Sequence, residues 1–253
     1  MQMYGYKSDG RYEVSDFSGY NAATDTWTLN DGVADDKGVI GTVRPGSMKL
    51  KDLNGDGVIT VADCSVIGNA NPKHTGGFNL DGRFYGFDLS AVFSWSYGNY
   101  IYNANKIEYS TGRYQFRDMI NDMADGTRWT NLDPVAGVIV NDPATLEAMN
   151  ANTTMWSPYM TRHVFSDWAV EDGSYIRLNT LSLGYTIPHE LVKKVHLQNL
   201  RLYVSAYNVF TLTNYTCFDP EVSARRNTPL TPGVDYSAYP KSRQLLFGIN
   251  LSF

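Results

Sequence analysis

Three observations predict an all-β chain, specifically a portion of an antiparallel transmembrane β-barrel. The first is the closing run RQLLFGINLSF, in which Leu245, Phe247, Ile249, Leu251 and Phe253 alternate with Leu246, Gly248, Asn250 and Ser252. Side chains on a strand switch faces at every residue, so the first set makes one face apolar and the second makes the other mostly small or polar. The second observation is that long and short connections alternate between such runs, as they do in membrane barrels. The third is that no apolar run approaches the roughly 20 residues of a spanning helix. Barrel strands escape that test because only half of their residues face lipid.

Taken in order, MQMYGYKSDGRY (Met1–Tyr12) reads as a first strand rich in Tyr and Gly. Residues 13–75 are broken by Gly and Asp and read as a long loop, with a short strand at Ser47–Lys51. Gly77–Phe84 is the next strand, and only Tyr85 and Gly86 separate it from FDLSAVFSWSY. There Phe87, Leu89, Ala91, Phe93, Trp95 and Tyr97 oppose Asp88, Ser90, Ser94 and Ser96. Residues 98–172 are a polar loop with short helices expected near Phe116–Ala124 and Pro143–Asn150. Ser174–Pro188 carries Leu181, Leu183, Tyr185 and Ile187 on one face, and NLRLYVSAYNVFTL carries Leu200, Leu202, Val204 and Ala206. A loop over about 213–241 leads to the final strand. Trp95, Tyr97, Tyr175 and Phe210 are expected in one aromatic girdle, and Phe84, Phe87, Tyr185 and Phe253 in the other.

The connections therefore run long (13–75), short (85–86), long (98–172), short (189–198) and long (213–241). Short turns lie on the periplasmic side of membrane barrels, which places the C-terminus there and the long loops outside. About six spanning strands fall below the roughly eight of the smallest closed barrel. Open edges cannot face lipid, so the chain is expected to be the C-terminal portion of a larger barrel. The opening residues lack the charged and apolar regions of a secretory signal, which places the expected N-terminus upstream.

Lys plus Arg total 21 against 26 Asp plus Glu, a net charge of −5, which argues against nucleic acid as a partner. His74, His163, His189 and His196 are dispersed, and no nucleophile elbow, phosphate-cradling loop or zinc motif appears, so no enzyme activity is expected. Cys64 and Cys217 fit no metal spacing, and their sequence positions leave a disulfide open.

DLNGDGVITVAD resembles an oxygen-ligand loop for a hard cation. Asp52, Asn54 and Asp56 stand at alternate positions, Gly57 allows the sharp turn, and the Val58 carbonyl and Asp63 complete a structural calcium set. Asp63 replaces the usual glutamate, and an Asp- and Gly-rich turn without metal has the same composition. Ligand contact is expected from the loop residues Trp129, Trp156, Tyr159, Arg162, Trp168 and Tyr215, because rings stack on sugars and guanidinium binds oxygens. A place in the interfacial girdle, common for aromatics near strand ends, is the stronger alternative.

Five stretches resemble one family in the right order: YGYKSDGRY, the run from KDLNGDGVITVAD to FSWSYGNYIYN, EDGSYIRLNTLSLGYTIP, LRLYVSAYNVFTLTNYTCFDPEV and YPKSRQLLFGINLSF. The family is the SusC/RagA-type TonB-dependent transporters of Bacteroidetes, and the resemblance is to their C-terminal barrel region. It implies a complete barrel of roughly 22 strands. It also implies a plug absent from these residues, TonB acting through a missing N-terminal region, and a SusD-like surface lipoprotein as lid. The closing strand at Phe253 resembles the signal read by the barrel assembly machinery. The implied function is import of oligosaccharides or peptides across the outer membrane. A siderophore or vitamin receptor, or a calcium-binding extracellular glycan-binding or adhesion β-domain, stands as the alternative. Cys217 occupies a place where the family usually has Gly, which questions the conformation of that turn.

Overall fold

Five long strands carry the alternation: β1 (His74–Phe84), β2 (Phe87–Tyr97), β3 (Tyr175–Thr186), β4 (Asn199–Thr213) and β5 (Gln244–Ser252). Each pairs antiparallel with its sequence neighbour, giving an up-and-down sheet in the order β1-β2-β3-β4-β5. The computed structural model describes residues 2–114, 116–222 and 232–253. These divide into a sheet-bearing unit (69–101 and 171–253) and a second unit (2–68 and 102–170). Met1 of the expected first strand and residues 223–231 of the expected last loop lie outside the described residues.

The β1–β2 connection is the expected two-residue hairpin. Tyr85 and Gly86 both take positive φ, 45° and 83°, the pairing whose twist matches that of the flanking strands. Across the sheet, Phe84, Phe87, Tyr185, Leu202 and Ile249 form one register row, and Leu80, Ala91, Leu181, Ala206 and Leu245 another. Both rows belong to a single apolar face. Within it, Phe247 is 73% exposed and Ile249 63%. The opposite face carries rows such as Asp81, Ser90, Ser182, Ser205 and Leu246.

One irregularity changes the expected facing. Between Leu178 and Thr180 the register of β3 slips against both β2 and β4, and Asn208 of β4 takes a φ of 51°. Two successive residues, Asn179 and Thr180, then serve the polar side, and Asn179 Nδ2 donates to Ser94 Oγ at 2.8 Å. Beyond the bulge, Leu178 and Ile176 lie opposite Phe93 and Trp95, while Arg177 and Tyr175 lie opposite Ser94 and Ser96. Tyr175 is thus on the polar face rather than in the apolar girdle, because the extra residue reverses the period-two count.

The expected spanning strand Met1–Tyr12 does not join this sheet. Gln2–Gly5 and Ser8–Arg11 are short strands of the second unit, paired with Ser65–Asn69 and Met48–Leu50. Gly5, Lys7, Asp9 and Gly10 interrupt the alternation, and Tyr12 is fully buried instead of meeting lipid. The sheet therefore has five of the six strands expected.

The second unit, most of it expected to be loop, is built around a hydrophobic core of Tyr12, Phe17, Ile40, Met48, Leu50, Ile59, Met123 and Trp156, with the expected short strand forming at Met48–Leu50. Full burial of such side chains contributes about 1.5–3 kcal/mol each, enough to order polar connecting chain. The expected helix α1 forms at Pro143–Asn150, with Pro in its first turn and the Asp142 carboxylate accepting from Thr145 N at 2.9 Å. Phe116–Ala124 yields only a single 3₁₀ turn, Asn121–Met123. Asp36 is fully buried in this unit and accepts from Leu50 N at 2.7 Å. Burial raises its pKa to about 7, against the lowering effect of that hydrogen bond.

Candidate functional site

The polar face of the sheet carries braced charge. Arg201 of β4 donates from Nε to Asp88 Oδ1 at 2.9 Å and from Nη2 to the second oxygen, reaching across β3 over Gly184. A Cβ on Gly184 would lie 2.3 Å from that guanidinium, and one on Gly248 would lie 2.1 Å from the Tyr203 ring. Both glycines thus provide room for a long side chain to lie flat across a neighbouring strand. On the same face, Arg177 is buried and ion-paired to Asp219 and, at 3.0 Å, to Glu221. Lys241 also pairs with Glu221, so the chain that follows β4 is fastened to β3. A buried guanidinium with two carboxylates is held by charge-assisted hydrogen bonds that outlast surface pairs.

In the loop expected to bind calcium, the acidic side chains turn inward on their own backbone. Asp52 accepts from Gly55 N and Gly57 N at 2.7 and 2.8 Å, Asn54 Oδ1 from Asp56 N at 2.9 Å, and Asp56 Oδ1 from Val58 N at 2.9 Å. Asp63 is fully buried and accepts from Leu53 N and Thr60 N at 3.0 and 2.8 Å. Those backbone bonds hold its pKa below the ordinary carboxylate value. Among the described residues no three His, Cys, Asp or Glu side chains cluster at metal-binding distance. The loop is therefore closed by its own N–H groups, although its oxygen donors remain of the type that suits calcium.

The six expected ligand-contact residues separate. Trp129, Trp156 and Tyr215 are buried and pack within their units, which corrects the expectation that they face a ligand. The Arg11 guanidinium lies 4.8 Å from the Trp129 ring, Trp156 meets Trp168 edge-on at 4.7 Å, and Tyr215 donates to Asp235 at 2.6 Å. Trp168 is half-buried, with Lys106 Nζ 4.6 Å from its ring. Tyr159 and Arg162 are exposed and line one cavity of about 770 Å³ with Glu108, Arg113, Tyr114 and His163. Sequence reading missed Arg113 and Tyr114, because only folding brings residues 107–114 beside 158–164.

Neither Cys64 nor Cys217 forms a disulfide. Cys217 is not among the residues with positive φ, so this turn has no need of Gly there. Its thiol pKa is raised chiefly by burial.

No family model matches the chain. It is 33% identical over 257 aligned residues to TonB-dependent receptor P3 of Formosa agariphila, a match covering 99% of this chain and 22% of the relative. It is 23% identical to TonB-dependent receptor SusC of Bacteroides thetaiotaomicron, over 83% of this chain and 18% of the relative. Among solved structures, the RagAB peptide importer in its closed-closed state matches with a TM-score of 0.65 at 22% identity. That match covers 100% of this chain and 23% of the other. The chain thus spans about a fifth of the length of the curated relatives it matches.

Proposed function

We propose, from the premise that this chain is a stretch of a SusC/RagA-type TonB-dependent receptor, that it forms part of the wall of an outer-membrane importer of oligosaccharides or peptides. The observation that carries the reading is the five-stranded sheet with one exposed apolar face, one polar face and, among the described residues, an unpaired edge on each of β1 and β5. In lipid the apolar face is solvated, and both edges are satisfied by further strands of a barrel of roughly 22. The polar face lines the lumen. The two-residue hairpin and the β3–β4 connection lie at the periplasmic end, and the long connections between strands lie outside.

The partners follow from the same premise. A SusD-like lipoprotein covers the external mouth, TonB acts through an N-terminal region, and the barrel assembly machinery inserts the closing strand. The relatives are named as receptors and importers, RagAB as a peptide importer. The adhesion-domain alternative does not account for the exposed apolar sheet. Calcium at Asp52, Asn54, Asp56, Val58 and Asp63 belongs to this proposal as a stiffener of an external loop. Its removal should speed proteolysis at that loop, and equal cleavage rates with chelator and with calcium would refute it.

The import reading is tested by uptake of labelled peptides and oligosaccharides into cells that carry the receptor, with and without TonB. TonB-dependent uptake of either class is expected. Uptake indifferent to TonB would overturn it.

A further inference from the structure

We propose that the cavity between residues 107–114 and 158–164 of the second unit is a subsite for a carboxylate group of the imported oligomer. This rests on the import reading for its substrate class, and on the charges around the cavity for its chemistry. The chain as a whole is acidic, with a net charge of −5, yet this cavity of about 770 Å³ is lined by two arginines, Arg113 and Arg162. Among the described residues neither has an ion-pair partner. The one carboxylate in the lining, Glu108, is already matched by Arg117 at 2.7 Å. The positive charge of the cavity is therefore available to a ligand.

The other walls say what the ligand carries beside its charge. Tyr159, 67% exposed, offers a ring and a hydroxyl to a planar or pyranose body, while the half-exposed Tyr114 holds the Arg113 and Arg117 guanidiniums 5.9 and 5.1 Å from its ring. His163 lines the same cavity; its Nε2 is buried and without a partner among the described residues, and burial lowers its pKa, so the ring brings no competing charge at neutral pH. Guanidinium forks match carboxylates in two-point contacts. Two chemically alike sources fit: the C-terminal carboxylate of a peptide and the ring carboxylate of an acidic sugar.

The test uses the purified full-length receptor that carries this chain, in detergent. The probes are a tetrapeptide with a free C-terminus, its C-terminal amide, trigalacturonate and neutral maltotriose. One of the two acids should bind at least about tenfold more tightly than its uncharged counterpart, the scale of one charge-assisted hydrogen bond. Which acid it is identifies the source of the carboxylate. In the Arg113→Gln/Arg162→Gln double variant the preference should vanish while the uncharged probes bind as before. Equal binding of acid and uncharged forms to the unaltered receptor overturns the subsite whatever the variant does, and so does absence of binding by all four probes. A preference that survives in the folded double variant also overturns it. TonB-independent uptake with an intact acid preference would instead refute import and leave the subsite standing.

Discussion

Phe247 in β5 is 73% exposed, whereas Tyr12 in the second unit is fully buried, although both belong to stretches with many aromatic and aliphatic residues. The sheet turns its large apolar side chains outward along a whole face. The second unit gathers its own around Ile40, Leu50, Ile59 and Trp156. The difference teaches that one chain is built for two solvents. In water an exposed row of Leu, Ile and Phe loses roughly 25 cal/mol for each Å² left unburied, and in lipid it loses almost nothing. The second unit makes the ordinary aqueous choice.

The sharpest way to separate the two regions is to damage only one. Trp156→Ala should cost the second unit about 3–5 kcal/mol, read as faster proteolysis within 2–68 and 102–170. The detergent-resistant mobility of the barrel should persist, and its simultaneous loss would break the comparison. Next, Ala91→Arg on the apolar face should cost about 2–4 kcal/mol for folding into lipid vesicles. Ser90→Arg, one residue away on the polar face, should cost far less, so equal costs would mean that the facing is wrong.

A third effect is a slope. Asp36 has its pKa raised to about 7, chiefly by burial, from an ordinary carboxylate value of 3.8. Between these values the folded unit holds a proton that the unfolded chain has released. Its contribution is complete below about pH 4 and is lost as pH rises through 7, by at most about 1.4 kcal/mol per pH unit. Asp36→Asn should flatten this part of the pH profile of protease resistance, and an unchanged slope would show that another group sets it. The smallest effect is at the hairpin. Gly86→Ala, at φ 83°, should cost about 1–2 kcal/mol in a urea titration without disturbing the second unit.

Much of the sheet was legible because its faces alternate. The runs around Phe87–Tyr97 and Leu245–Leu251 announced both strand and facing. Tyr175 was misread for a physical reason: the slip at Leu178/Thr180 depends on hydrogen bonding to two neighbours, and a count along one strand cannot register it. Met1–Tyr12 was misread because Tyr and Gly suit a lipid-facing strand and short strands paired to distant segments of a small core alike. The second unit stayed hidden because its core residues are single apolar positions, such as Ile40, Ile59 and Met123, scattered through polar chain without a period. Candidate site residues divided in the same way. A tryptophan in a polar stretch can be bait for a sugar or the centre of a small core, and burial assigned Trp129 and Trp156 to packing. Arg113 had no local signal at all.

The edges of β1 and β5, unpaired among the described residues, have a consequence in time as well as in space. Before lipid receives the sheet, each edge is a template for another strand, and the apolar face beside it favours any copy that arrives. Folding is therefore a race between insertion and self-association, decided by concentration and by whatever holds the chain apart meanwhile. Dilution, or a holding chaperone that masks Leu245–Leu251, slows the losing route without changing the final structure.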